Sequence, residues 1–173
     1  MKRMYLASVI IGSLLSSPAS AASSPFFTNL TGSWSGTGSA YLAKTGEISA
    51  DCQLKIAAGE RKVAMQGSCG RFIFHQKLGF TLMNAAGSKY TGFYTGSKTG
   101  PARLEGTLQG NELRLTITWG GLVNGDRTAK MLLKRTGPNS FVQTVIDQVA
   151  GITRDTSKFN FMRSQSVAQQ SPK

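Results

Sequence analysis

Apolar and polar residues alternate with a period of two along much of the chain. The clearest case covers residues 113–119, where the odd-numbered positions are Leu, Leu, Ile and Trp and the even-numbered positions are polar. Because successive side chains of a β-strand point to opposite faces, this pattern predicts strands with one buried and one solvated face. Such segments recur every ~8–12 residues between Gly-, Asn- and Pro-containing turns, a spacing typical of β-sandwiches and β-barrels.

About ten short strands are predicted, and no segment has the spacing of a convincing long helix. The predicted strands cover residues 30–43, 48–57, 62–69, 71–76, 78–83, 90–96, 103–108, 111–119, 128–135, 141–149 and 159–162. The apolar residues of 141–149 also fit a helical spacing, but its β-branched side chains favour a strand. The chain is predicted to be all-β, and its successive hairpins favour an up-and-down barrel, which has no exposed sheet edge.

The two cysteines of the chain fall in one predicted hairpin. A hairpin with its midpoint between Glu60 and Arg61, next to the turn residue Gly59, places Cys52 directly opposite Cys69, and the same register pairs Ile56 with Met65. Directly opposed Cβ atoms lie ~4.5–5.5 Å apart, close to the reach of a disulfide. An even cysteine count in an exported chain also favours a disulfide, and a zinc or redox site would need further ligands or a Cys-x-x-Cys motif.

A second hairpin is predicted around Gly110. Its register pairs Leu108 with Leu113 and Leu104 with Ile117, so the apolar faces of both strands agree. Glycine at the first central position of the turn suits a type II′ geometry.

The N-terminus resembles a secretory signal peptide. Lys2 and Arg3 precede an apolar run from residue 6 to residue 15, and Ala19-Ser20-Ala21 forms a small-x-small cleavage site. The apolar run is shorter than the ~20 residues of a spanning helix, so no transmembrane segment is expected. The pattern predicts cleavage after Ala21, a bacterial source and a periplasmic or secreted protein.

One domain is expected in a chain of 173 residues. The predicted layout is a signal peptide at 1–21, a mobile lead-in at 22–29, a β-barrel domain at 30–163 and a disordered Gln- and Ser-rich tail at 164–173.

The chain is strongly basic. Removal of the signal peptide leaves 18 Lys and Arg against 8 Asp and Glu, a formal charge of +10. This charge favours an anionic partner, such as an envelope polymer or a lipid surface, although the basic residues are scattered and also fit a solvated exterior. Export argues against nucleic acid as the partner.

The pattern Gly32-Ser33-Trp34 on the first strand, with Arg163 on the last, resembles the calycin superfamily of lipocalin-like and avidin-like barrels. The resemblance implies a single antiparallel up-and-down β-barrel of about 8–10 strands, in which the tryptophan plugs one end and the late cation lies across its ring. A cation–π contact of this kind contributes ~0.5–2 kcal/mol.

Four aromatic residues are candidates to bind a ligand: Tyr90, Phe93, Tyr94 and Trp119. A barrel of this size encloses one small ligand or is filled by its own side chains. Tyr90 and Tyr94 are four residues apart and share a face, which is either the pocket or the exterior.

Catalytic groups are scarce in the sequence. The only histidine, His75, lies in a predicted strand, on the face of Ile73 and opposite Phe72 and Phe74. It is interpreted as a haem or metal ligand, or as an ordinary strand histidine. No nucleophile elbow, carboxylate pair or metal-ligand cluster is visible, so no catalytic residue, metal or cofactor is predicted.

Three functions remain open. The first is an exported, non-catalytic barrel that binds a small apolar or amphiphilic molecule in the cell envelope. The second is an envelope interaction protein, which binds anionic glycan or lipid through its basic exterior or inhibits a protease. The third is an unrecognised enzyme.

Overall fold

The computed structural model describes residues 24–164, which form a closed barrel of ten antiparallel strands preceded by one short helix. The predicted signal peptide at 1–21 and most of the predicted tail, residues 165–173, lie outside the described residues. The helix α1 is Pro25–Leu30. The strands are β1 (Gly32–Leu42), β2 (Gly46–Ala58), β3 (Lys62–Arg71), β4 (Phe74–Ala86), β5 (Lys89–Thr95), β6 (Ala102–Gln109), β7 (Glu112–Val123), β8 (Asp126–Gly137), β9 (Ser140–Val149) and β10 (Ile152–Arg163).

Each strand pairs with the next one along the chain, and β1 closes the ring by pairing with β10. The expected all-β, up-and-down barrel is therefore confirmed. Closure pairs the two edge strands that an open sheet would leave exposed. Within residues 24–164, no helix is long and apolar enough to cross a membrane.

The predicted hairpin registers are confirmed. Cys52 lies opposite Cys69 in the β2–β3 ladder and the two form a disulfide, with Ile56 opposite Met65. In the β6–β7 hairpin, residues 108 and 104 lie opposite 113 and 117, as expected. Residues 141–149 lie in β9, so the prediction of a strand there is also correct.

The two strands predicted at 71–76 and 78–83 are wrong. The chain reverses at Phe72 and Ile73, and one long strand, β4, runs from Phe74 to Ala86. The apolar run at 72–74 resembles a strand by composition, but Phe72 adopts a φ of 56° and forms the turn. His75 consequently does not share a strand face with Ile73.

The lead-in predicted at 22–29 is a helix over part of its length. Pro25 stands at the first helical turn, and Phe26, Phe27 and Leu30 are buried against the barrel. Phe27 contacts Tyr90 on β5, while the helix ends beside Arg163 on β10. Because β5 and β10 lie on opposite sides of the ring, α1 crosses one mouth of the barrel, which we call the helix end.

An aromatic cluster fills the barrel behind α1. The Trp34 ring lies 4.9 Å from the Phe141 ring in an edge-to-face contact, and Phe141 stacks on Phe161 at 4.6 Å. All three side chains are almost completely buried. These large rings make the half of the barrel near the helix end a packed core.

Arg163 joins the first strand, the last strand and the helix. Its guanidinium carbon lies 4.4 Å from the centroid of the Trp34 ring, so the predicted contact between the two residues is present. The guanidinium also donates hydrogen bonds to the carbonyl oxygens of Thr31 (2.7 Å) and Asn29 (2.6 Å). Trp34 Nε1 donates to the carbonyl oxygen of Leu30 at 2.8 Å, so both side chains hold the C-terminal end of α1.

We expect Arg163→Ala to lower the free energy of unfolding by about 1–3 kcal/mol, because it removes the cation–π contact and three charged hydrogen bonds, the third from Nε to Asn139 Oδ1. Arg163→Lys keeps the charge but not the planar fork of donors, so its loss should be intermediate. Urea unfolding followed by tryptophan fluorescence measures both values. An alanine variant as stable as the wild type would contradict this role.

Loss of the disulfide should also destabilise the barrel. The bridge joins residues 17 positions apart, and a loop of this size corresponds to about 3 kcal/mol in the chain-entropy model. The double variant Cys52→Ala, Cys69→Ala should therefore unfold at a lower urea concentration, as should the wild type under reducing conditions. If reduction shifts the wild type but leaves the double variant unchanged, the shift comes from the bridge.

Candidate functional site

A cleft opens at the helix end between α1 and the turns that follow β2, β4 and β6. Its volume is about 470 Å³. The walls come from four separate parts of the chain: Ser24 and Phe27 from the α1 segment, Gly59, Glu60, Arg61, Lys62 and Val63 from the β2–β3 turn, Asn84, Gly87, Ser88 and Tyr90 from the β4–β5 turn, and Leu108 from β6.

The floor of the cleft is apolar. Phe27 and Tyr90 meet edge to face, with ring centroids 5.0 Å apart, and both are buried. Val63 is buried beside them, and Leu108 is partly buried. Helix α1 creates this floor, because it brings Phe27 across the mouth of the barrel onto a strand that is distant in sequence.

Hydrogen bonds between neighbouring turns hold the lip of the cleft. The backbone N–H of Asn84 donates to the carbonyl oxygen of Arg61 at 2.8 Å, and Asn84 Nδ2 donates to the carbonyl oxygen of Gly87 at 2.7 Å. The backbone N–H of Leu108 donates to the carbonyl oxygen of Ser88 at 2.9 Å. These bonds connect three hairpins, so the lip is preorganised.

The lip carries a local excess of positive charge. Arg61 and Lys62 are exposed beside the apolar floor, and among the described residues Glu60 is the only acidic one that lines the cleft. Arg61 makes a long hydrogen bond, 3.4 Å, to the carbonyl oxygen of Asn84 and has no ion pair within residues 24–164. The cleft therefore combines apolar surface with two cations that can contact an anionic group.

The four aromatic residues predicted to bind a ligand do not form one site. Tyr90 lies in the cleft, whereas Tyr94 and Trp119 meet further along the barrel, with ring centroids 6.1 Å apart. Phe93 points to the outside of β5 and is 58% exposed, so it lies neither in the cleft nor in the barrel interior. Period-two alternation places Phe93 opposite its two tyrosine neighbours, and this signal was present in the sequence.

The second aromatic pair contains two polar groups in an apolar environment. Burial raises the pKa of the Tyr94 hydroxyl above its ordinary value. Trp119 is 8% exposed, and its Nε1 donor has no hydrogen-bond partner among the described residues. A buried donor without a partner costs about 1–3 kcal/mol, so this indole N–H is available to donate to an acceptor atom of a ligand.

The remaining titratable residues do not gather around the cleft. His75 is exposed on β4, near the opposite end of the barrel. Within residues 24–164, no three His, Cys, Asp or Glu side chains are placed to hold a metal ion. The arrangement can bind a molecule by burial and charge, and it presents no nucleophile–base pair at the cleft.

The sequence did not reveal Phe27, Arg61 and Lys62 as site residues. A signal for the helix was present, because Ser24-Pro25 is a common helix start and Phe26, Phe27 and Leu30 are spaced for one helical face. No local pattern reveals the cleft itself, since its walls meet only when the barrel closes.

Solved structures share the barrel fold of this chain. Rv2717c from Mycobacterium tuberculosis superposes with a TM-score of 0.64 at 14% identity, over 82% of this chain and 99% of that protein. The S-type phycobiliprotein lyase CPES from Guillardia theta superposes with a TM-score of 0.60 at 15% identity, over 82% of this chain and 92% of the lyase. No protein-family model and no curated protein sequence matches the chain.

One buried carboxylate gives the barrel a pH dependence. Asp147, on β9, is buried, accepts hydrogen bonds from Asn124 Nδ2 (3.0 Å) and the Gln148 backbone (2.8 Å), and lies near Asp126. Burial, aided by the charge of Asp126, raises the pKa of Asp147 above its ordinary 3.8, although the two hydrogen bonds oppose this shift.

Because the folded pKa is raised, the ionised carboxylate penalises folding above that pKa, and the penalty disappears as the pH falls below 3.8. We expect Asp147→Asn to stabilise the protein more, or destabilise it less, at neutral pH than in acid. Urea unfolding of both proteins across this pH range tests the difference. An identical difference in stability at neutral and acidic pH would contradict the raised pKa.

Proposed function

We propose that this protein is an exported, non-catalytic binding protein of the cell envelope that holds a small amphiphilic molecule in the cleft beside α1. One observation carries the proposal: an apolar floor and a cationic lip occur in the same preorganised cleft. A molecule with an apolar body and an anionic group matches both surfaces.

The size and lining of the cleft support a small ligand. Its volume of about 470 Å³ is within the range of ~300–1,000 Å³ that is usual for sites of small molecules. Such sites are mostly apolar, with a few polar groups that fix orientation. Here Phe27, Tyr90 and Val63 supply the apolar part, and Arg61 and Lys62 supply the polar part.

The proposed location outside the cytoplasm has separate support. The N-terminus has the pattern of a secretory signal peptide, and the Cys52–Cys69 disulfide suits an oxidising compartment such as the periplasm or the extracellular medium. The lyase activity named for the phycobiliprotein lyase belongs to that protein. In this chain, the absence of a nucleophile–base pair at the cleft among the described residues supports a binding role.

The proposal is tested first with protein purified from its own host. Native mass spectrometry should show a bound small molecule that is released on denaturation. The fluorescent anion anilinonaphthalene sulfonate then serves as a probe of defined chemistry. The double variant Arg61→Glu, Lys62→Glu should weaken its binding at least ~10-fold, because two attractive charges at a partly buried site become repulsive.

A matched control separates the cleft from the overall charge. Lys130 and Lys134 are exposed on β8, away from the cleft, so Lys130→Glu, Lys134→Glu changes the net charge equally and should leave binding nearly unchanged. Equal weakening by both double variants would show a nonspecific charge effect and contradict the proposed site. If Trp119→Phe weakens binding of the probe and neither double variant does, the probe binds at the Tyr94–Trp119 pair and not in the cleft.

A further inference from the structure

The turn between β3 and β4 exposes three consecutive large apolar side chains. Phe72 is 82% exposed, Ile73 is 86% exposed and Phe74 is 78% exposed. We call these residues the apolar tip. Single exposed apolar residues are common on protein surfaces, but a contiguous exposed group marks a site of interaction.

The apolar tip ends a hairpin that extends past β5 on one side. On one side, β3 pairs with β2 only as far as Gly70, which lies opposite Asp51. On the other side, β4 pairs with β5 only from Gly79 onward. Residues 74–78 of β4 therefore lack a paired strand on the β5 side, although β2 continues to Gly46 on the other side of the hairpin. The three large side chains of the tip are exposed to solvent.

The conformation of the turn is unusual for its sequence. Phe72 has a φ of 56°, in the left-handed region that favours glycine or asparagine. A bulky residue in this conformation costs of order 1 kcal/mol or more, and such strain concentrates at functional sites. The turn thus places an aromatic side chain where a glycine would be relaxed.

The hairpin that carries the tip is basic. Residues 61–104 contain seven Lys and Arg and no Asp or Glu. The Arg71 guanidinium carbon lies 5.1 Å from the centroid of the Phe72 ring, and Lys77 and Lys98 are exposed on the same hairpin and on the turn after β5. The tip is therefore adjacent to cations without a nearby carboxylate in its own hairpin.

Neighbouring turns at this end add further exposed apolar side chains. Leu42, Leu122 and Ile152 lie at the ends of β1, β7 and β10 and are 42%, 69% and 68% exposed. The acidic residues of this end lie on other strands: Glu47 and Asp51 on β2, Asp126 on β8, Asp147 on β9 and Asp155 on β10. Asp51 is next to the hairpin, because it pairs with Gly70. Exposed basic residues also lie at these turns, among them Lys44, Arg127 and Arg154. The tip differs from the rest of the rim in carrying three consecutive large apolar side chains.

We propose that the apolar tip docks the protein on a bilayer surface that contains anionic lipid. Phe72, Ile73 and Phe74 enter the boundary between headgroups and acyl chains, and Arg71 and Lys77 contact lipid phosphates. A convex tip of three residues suits this partner better than a protein, because a stable protein interface buries about 800 Å² on each side. The inference is independent of the ligand in the cleft.

Docking by the tip fixes the orientation of the barrel. The tip lies at the end opposite α1, so the cleft faces away from the bilayer. Its lip then remains open to the aqueous compartment, and a ligand enters from water and not from the membrane.

Vesicle co-sedimentation of the purified protein tests the proposal. Vesicles of phosphatidylcholine are compared with vesicles that also contain phosphatidylglycerol, and the partition coefficient should be at least ~10-fold higher with the anionic lipid, since each Lys or Arg near the surface contributes. Added salt should lower it. The triple variant Phe72→Ser, Ile73→Ser, Phe74→Ser should lower it at least ~10-fold through lost apolar insertion.

Phe93→Ser is the matched control, because Phe93 is also an exposed aromatic residue but lies on the outer wall of β5. It should leave binding unchanged within ~2-fold, well below the change expected for loss of an inserted aromatic side chain. The tip is exposed, so the triple variant should fold, and an unaltered unfolding transition checks this. Equal binding by the triple variant and the wild type, or equal binding to both vesicle types, would overturn the proposal.

A second measurement does not depend on loss of binding. In Ile73→Trp, the new indole should shift its emission to shorter wavelength when anionic vesicles are added, because it enters a less polar environment. Light scattering without lipid tests the alternative that the tip mediates self-association. A wild-type dimer that the triple variant abolishes would assign the tip to self-association and overturn the proposed membrane docking.

Discussion

The contact between Arg163 and Trp34 is the constraint on which the rest of the barrel depends. These residues lie opposite each other in the β1–β10 ladder, the pairing that closes the ring. The same guanidinium holds the carbonyl oxygens of Asn29 and Thr31, so ring closure and helix placement share one side chain. Gly32 makes this geometry possible: it has a φ of 133°, and a Cβ there would lie 2.6 Å from Arg163 Nη1. The Gly-x-Trp pattern is therefore explained by the space that the arginine occupies.

Closure of the barrel also positions helix α1, which forms one wall of the cleft. Once Arg163 and Trp34 fix its C-terminal end beside β10, the helix spans the mouth and Phe27 reaches Tyr90 on β5. Without the helix, the floor of the cleft would lose one of its two rings. The cleft therefore exists because α1 covers one end of the barrel. Its cationic lip comes from turns between successive strands, which the barrel places around the helix.

The sequence predicted those features that depend on local alternation. The Cys52–Cys69 register and the buried face of 113–119 follow from period two, and the structure agrees with both. The prediction failed at 71–78, where a run of apolar residues forms an exposed turn and not a buried strand. Composition alone does not distinguish the two. The ambiguity at 141–149 has a related cause: Gln143 and Asp147 are polar but buried, which weakens the expected alternation. The cleft could not be predicted, because its walls come from four segments that are distant in sequence.

The disulfide lies near one end of a hairpin that runs between the two ends of the barrel. Strands β3 and β4 line the cleft with Val63 and Asn84 and carry the apolar tip about ten residues away along β3. Residues 74–78 of β4 lack the lateral hydrogen bonds that β5 would supply, so the base of this hairpin gains from a further link. Cys69, two residues before Arg71, is bonded to Cys52 on β2 at that base. The covalent link therefore stands where lateral pairing ends, so that the tip can extend into solvent while the cleft at the other end keeps its shape.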